Sequence, residues 1–271
     1  TTAVQVFTTF VVAALPTLAL RAAATVGLEP HMVGYQVSII YASAAVLSVY
    51  SGLVVRRLGA CAASMIALAT GIAGLVAIST GTLAGIVLGS LVLGAGYGLP
   101  GPAAAHLFMR YAPLGRRNLI FSVKQSGMPL GVALASILLP SLSERIGWQC
   151  ALLASTLFLL MILVLLLSRR RRWDDDRSPM PVAATRAFAG VGAVLADPVL
   201  RVIGGIGLCY GGYQMCVIAF TVTMLVKEFG WTLIEAGMLA GAMQIGGVAG
   251  RIGFSLLADA TSAGLAILCA V

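Results

Sequence analysis

The sequence predicts an all-α integral membrane protein built from two related helical bundles, and three observations carry that prediction. Of the 271 residues, 60% are hydrophobic and only 10% charged, with a mean hydropathy of +1.02, a balance that water-soluble domains do not reach. The apolar residues fall in stretches of about 20, the length a helix needs to cross hydrocarbon. The third observation is a recurrence. Residues 34–59 and 237–264 align without gaps, so that Gly34 falls on Gly237, Ser51-Gly52 on Phe254-Ser255 and Arg56-Arg57 on Asp259-Ala260. A hydrophobic helix pair that returns after a charged central segment is the pattern of a transporter made of two homologous halves.

In chain order, apolar stretches near 3–26, 32–54, 60–79, 82–109, 119–142, 148–168, 201–226, 232–257 and from 263 onward predict nine crossings. Short turns at 27–31 and 143–147 and the loops bearing Arg56-Arg57 and Arg110, Arg116 and Arg117 separate the early ones. Between Ser168 and Arg201 the composition changes abruptly, with Arg169 to Arg172, Trp173 and Asp174 to Asp176 followed by Pro179 and Pro181. That change divides the chain into an N-terminal six-helix bundle (1–168), a cytoplasmic central loop (169–200) and the start of a C-terminal bundle (201–271). The central loop reads as a solvated charged segment that also anchors the sixth crossing at the headgroups. The chain opens on Thr1-Thr2 and stops at Val271 inside an apolar run, which predicts trimming at both ends. No cleavable signal pattern precedes the first crossing.

Arginine and lysine set the expected orientation. Loops after the second, fourth, sixth and eighth crossings hold nearly all of the basic residues, whereas the opposite loops hold only Arg145 and Lys227. By the positive-inside rule the basic loops are cytoplasmic, and the expected location is the inner membrane of a bacterium.

Other function classes find little support. The net charge is +8, but few aromatics lie among the basic residues, as a nucleic-acid surface requires. Cys61, Cys150, Cys209, Cys216 and Cys269 lie in apolar stretches without a CxxC and read as small hydrophobes, so neither a metal nor a cofactor is expected. Gly96-Tyr97-Gly98-Leu99-Pro100-Gly101 matches GxGxxG, yet no strand precedes it and its flanks are a membrane span, which removes the context a dinucleotide loop needs. The only histidines are His31 and His106, near span ends, so an enzyme is not expected. Glycines four apart (Gly81, Gly85 and Gly89; Gly94 and Gly98; Gly127 and Gly131; Gly237 and Gly241; Gly246 and Gly250) predict close helix contacts of the kind that drive packing in lipid.

The two charged turns carry a family resemblance. Ser51 to Gly59 and Gly250 to Asp259 resemble the loop signature of the major facilitator superfamily. Gly52, Arg57 and Gly59 match its pattern, while Arg56 stands where an aspartate is expected. In the second copy Asp259 matches and Arg251 lies in the same segment, but Ser255 and Ala260 replace the glycine and the basic residue. Lys124 to Gly131 is similar to the glycine-proline motif of the fifth span in many members. The resemblance implies an MFS-like fold of two six-helix bundles with the substrate between them, about nine of its twelve helices being present. It also implies that the signature loops take part in the conformational cycle. The arginine that proton-coupled exporters carry in span four is replaced here by Ser90 to Leu93, which argues against drug–proton antiport.

Polar residues within spans complete the expectation, because hydrocarbon penalises them unless they face a cavity or a partner. Arg21 and Lys124 are the cationic candidates for substrate binding, with Gln36, Tyr41, Tyr97, Gln125, Gln214 and Gln244 as uncharged ones. Arg21 can instead snorkel to the outer headgroups and Lys124 to the cytoplasmic side, the glutamines can serve as interhelical hydrogen-bond partners, and Glu235, in the first turn of its span, reads as structural. With two cations and no carboxylate at comparable depth, the expected function is alternating-access transport of a small solute, an organic anion such as a mono- or dicarboxylate. A coupling proton or ion is a further expected partner. The alternatives are a receptor that kept the transporter fold and a membrane enzyme whose site lies beyond Val271.

Overall fold

The computed structural model of the chain describes residues 1–27, 29–111, 117–175, 192 and 194–261. The final stretch predicted from 263 onward lies outside these residues, as does most of the central loop.

Helices form where the apolar runs predict them, and their ends follow local chemistry. The first crossing departs from the expectation of one helix over 3–26: it breaks at Leu18 into α1 (Thr2–Thr17) and α2 (Ala19–Val26), bent by 56°. Pro16, just before the break, has no N–H to donate, and its ring crowds the preceding turn. Next come α3 (Val33–Leu58), α4 (Ala60–Ile78), α5 (Leu83–Tyr97) and α6 (Pro100–Tyr111). The latter two form one crossing interrupted at Gly98-Leu99, with proline opening the second piece as its fixed φ favours. The fifth crossing is α7 (Arg117–Gln125) and α8 (Gly127–Ile146), and the sixth is α9 (Trp148–Trp173). Then α10 (Pro198–Phe229) and α11 (Leu233–Thr261) follow. Seven of these segments are long and apolar enough to cross a membrane, and the bent α1–α2 pair makes an eighth.

Caps mark the later starts. Asp197 accepts hydrogen bonds from the Val199 and Leu200 N–H groups at 2.8 and 3.2 Å, with Pro198 at the first helical position of α10. Thr232 and Glu235 cap α11 reciprocally: the Thr232 N–H donates to Glu235 Oε2 at 3.0 Å and the Glu235 N–H to Thr232 Oγ1 at 3.2 Å. This is the capping box, and it gives Glu235 the structural role expected of it.

The core runs through the first six crossings, where Phe10, Leu68, Leu75, Leu139, Leu152 and Leu159 are almost fully buried. Small residues set the spacing there. Gly94 and Gly98 of α5 lie against Ile40, Ser43 and Ser48 of α3, and Gly127 and Gly131 of α8 against Thr2, Gln5, Val6, Thr9 and Phe10 of α1. The Gly237–Gly241 pair lies against Ala133, Ser136, Ile137 and Pro140 of α8. Gly246 has no close neighbour among the described residues.

The end that gathers the arginines, called the basic end below, is held by an arrangement that composition concealed. Asp174, in the segment expected to be solvated, is only 4% exposed. Its carboxylate accepts the Cys61 and Ala62 N–H groups at 2.7 and 2.9 Å, capping α4 from a position more than a hundred residues away. The cap fits because Gly59, at φ +98°, turns the chain from α3 into α4 without a Cβ that would collide with the Asp174 carboxyl. Beside it Arg110 of α6 forks onto Asp175, with Nη2 3.0 Å from Oδ2. The central segment therefore starts as a strap tying the ends of α4, α6 and α9 together.

Candidate functional site

A polar row lies between the crossings of the first bundle and the seam with α10 and α11. It begins at Lys124, in the last turn of α7, a helix that packs against both α1 and α11. Lys124 is 6% exposed, and its ammonium donates to the Gln125 Oε1 at 3.0 Å. No carboxylate lies within ion-pair distance of it among the described residues. On α1, Gln5 is buried and donates from Nε2 to Thr9 Oγ1 at 3.3 Å. Farther along, the rings of Tyr41 (α3) and Tyr97 (α5) meet edge to face with centroids 5.5 Å apart. The Tyr97 hydroxyl is buried without a hydrogen-bond partner of normal geometry among the described residues. Thr9 and Tyr41 also line a small cavity of about 20 Å³ with Val12, Val37, Val132 and Ile218, where α10 comes against the first bundle.

The remaining candidates from the sequence lie elsewhere. Arg21 reaches Glu144 at 3.1 Å, both side chains being partly exposed near the end of the molecule opposite the arginines. The structure thus brings to Arg21 a carboxylate from the last turn of α8, which runs on to Ile146 through most of the stretch expected as a turn at 143–147. Gln36 lines a different cavity, beside α2. Gln214 on α10 and Gln244 on α11 are half-buried on the second-half helices. Of the loop residues, Gly52, Arg56 and Arg57 are exposed around the last two turns of α3, Gly59 is buried, and Arg251 is half-buried on α11. The Asp259 side chain lies outside the described residues.

The two halves meet at the end opposite the arginines. Glu29 and Lys227 pair across them at 3.6 Å, the Phe220 ring covers Gly34, and Gly237 and Gly241 press α11 onto α8. Toward the basic end, residues 201–210 of α10 are all exposed. α11 nevertheless packs against α7 on that side of the seam.

The profile of the Major Facilitator Superfamily matches residues 1–271. The chain belongs to that superfamily. No curated protein matches it. Among solved structures, a crystal structure of a mutant peptide transporter, POT, in complex with sulfate shares 18% identity with a TM-score of 0.49. The match covers 86% of this chain and 47% of that one, so the chain spans about half the length of the transporter it resembles.

Within the superfamily fold, sequence reasoning passed over Gln5 and Thr9. Their signal was present: one glutamine and two threonines recur at Gln5, Thr8 and Thr9 in an otherwise apolar run, which places Gln5 and Thr9 on one helix face. No grouping of three or more His, Cys, Asp or Glu side chains that could hold a metal occurs among the described residues.

Proposed function

We propose that the chain is part of a secondary active or facilitated transporter that moves a small organic anion by alternating access, with the basic end cytoplasmic. The observation that carries this reading is Lys124: an ammonium buried among apolar helices whose partner among the described residues is a neutral amide. Removing an ammonium from water is costly unless an anion compensates it. A carboxylate entering the seam supplies that compensation, and the Gln125 amide turns to hydrogen-bond it.

The number of available cations narrows the substrate. Because Arg21 is satisfied by Glu144, one buried cation is left for the ligand among the described residues, which favours a monoanion over a dicarboxylate. The cavity at Thr9 and Tyr41 has apolar walls in Val12, Val37, Val132 and Ile218 but a volume of only about 20 Å³, room for about one water, so a substrate body reaches Thr9 and Tyr41 only after α10 moves away from the first bundle. Alternating access requires the Glu29–Lys227, Phe220–Gly34 and Gly237–Ser136 contacts, at the end opposite the arginines, to part.

The test is uptake by the full-length protein in proteoliposomes of a panel containing monocarboxylates, dicarboxylates and the corresponding neutral amides. Accumulation or exchange of monocarboxylates, lost in Lys124→Gln and kept in Arg21→Gln, is the expected result. Absence of uptake for every solute favours a receptor, and preference for a cation overturns the assignment.

A further inference from the structure

The bend in the first crossing opens a second cavity away from Lys124. Where α2 turns off α1 at Leu18, the wedge between α2 and the first turns of α3 and α5 encloses about 240 Å³. Leu15, Ala19, Ala22, Val33 and Ile86 give it an apolar wall. It shares no lining residue with the cavity at Thr9 and Tyr41.

One buried polar side chain interrupts that wall. Gln36 is 5% exposed, and its amide nitrogen and oxygen are both buried without a hydrogen-bond partner among the described residues. Burying both ends of an amide unpaired is unfavourable, and an apolar hollow with one such group gains most from a ligand that satisfies it. The charge at the rim restricts the ligand further. Glu29 lines the cavity and is already paired with Lys227, while Arg21 is engaged by Glu144. With both nearby cations already paired to carboxylates, the rim offers an anionic ligand no free positive charge. The group that fits Gln36 is neutral and both donates and accepts, as a primary carboxamide does.

We propose that this cavity is a binding site for a neutral small molecule with a short apolar body and a single carboxamide-like group, distinct from the anion site. The full-length protein in nanodiscs of saturated phosphatidylcholine is titrated with hexanamide and with N,N-dimethylhexanamide, which cannot donate, and binding is followed by saturation-transfer NMR. Hexanamide is expected to bind saturably and about tenfold or more tighter than its dimethyl analogue. Gln36→Leu, which keeps the volume and removes the unpaired amide, should erase that preference without loss of folding. Lys124→Gln should leave hexanamide binding unchanged, so failure of the anion assignment and failure of this one are separable. Equal affinity for the two amides in the parent, or an undiminished preference in Gln36→Leu, overturns the proposal. So does the absence of saturable binding, the result expected if lipid acyl chains fill the cavity.

Discussion

Gly237 is the position where a single methyl group should reset the conformational balance. It lies where α11 crosses α8, and a Cβ there would collide with the Ser136 carbonyl oxygen and stand 2.8 Å from Pro140 Cγ. Both obstacles are stiff, one being backbone and the other a ring, so Gly237→Ala must push the helices apart. Overpacking of this kind costs about 1–3 kcal/mol. The cost falls on the state in which the seam is closed at this end, and the helix preference for alanine over glycine cancels because α11 is helical in either state. The closed arrangement should therefore lose population by roughly 5- to 150-fold relative to its open counterpart. Crosslinking by a short bifunctional thiol reagent between cysteines replacing Glu29 and Lys227, whose side-chain ends pair at 3.6 Å, reads that population in a background cleared of native cysteines. Crosslinking should slow in Gly237→Ala, in proportion to the closed fraction that remains. Gly246→Ala, where the added methyl has no close neighbour among the described residues, is the internal comparison. An unchanged crosslinking rate in Gly237→Ala would refute the argument that the α8–α11 contact holds this end closed.

Three further outcomes follow from the geometry. Asp174→Ala removes a carboxylate that accepts two N–H groups at the start of α4, and should lower stability by about 2 kcal/mol, seen as a reduced Tm; Asp174→Asn, which keeps one acceptor, should recover part of it. Arg21→Gln breaks a partly exposed ion pair, and should change stability by less than about 1 kcal/mol, measured by denaturation in detergent. Cysteines placed at Asp175 and Glu144 should react with an impermeant thiol reagent from opposite sides of the membrane, as the arginine bias requires; reaction from one side only contradicts that topology.

Much of the fold was legible because hydrocarbon leaves the backbone few choices. The crossings and the close approaches at Gly94, Gly98, Gly127, Gly131, Gly237 and Gly241 rest on local patterns. Bends were harder. The break at Leu18 depends on how α2 packs, and hydropathy does not report it. Asp174 was misread for a related reason: in the sequence it belongs to a hydrophilic run, and only the return of α9 to the start of α4 gives its charge two buried donors. The candidate site was legible as a set of residue types and not as an arrangement. Lys124 and Gln125 are sequence neighbours and do meet, as do Tyr41 and Tyr97. Arg21 acquired a carboxylate from the last turn of α8, and Gln36 went to a separate cavity, because three-dimensional proximity decided both.

The most direct test of the account is to remove the cation and chemically restore it. In a full-length protein without its native cysteines, Lys124→Cys should abolish monocarboxylate uptake into proteoliposomes. Alkylation with bromoethylamine, which rebuilds a lysine-like ammonium on the thiol, should return it. A neutral adduct of similar length should not. If Lys124→Cys transports as the parent does, or if the neutral adduct restores uptake as well as the cationic one, Lys124 does not hold the anion and the central claim is wrong.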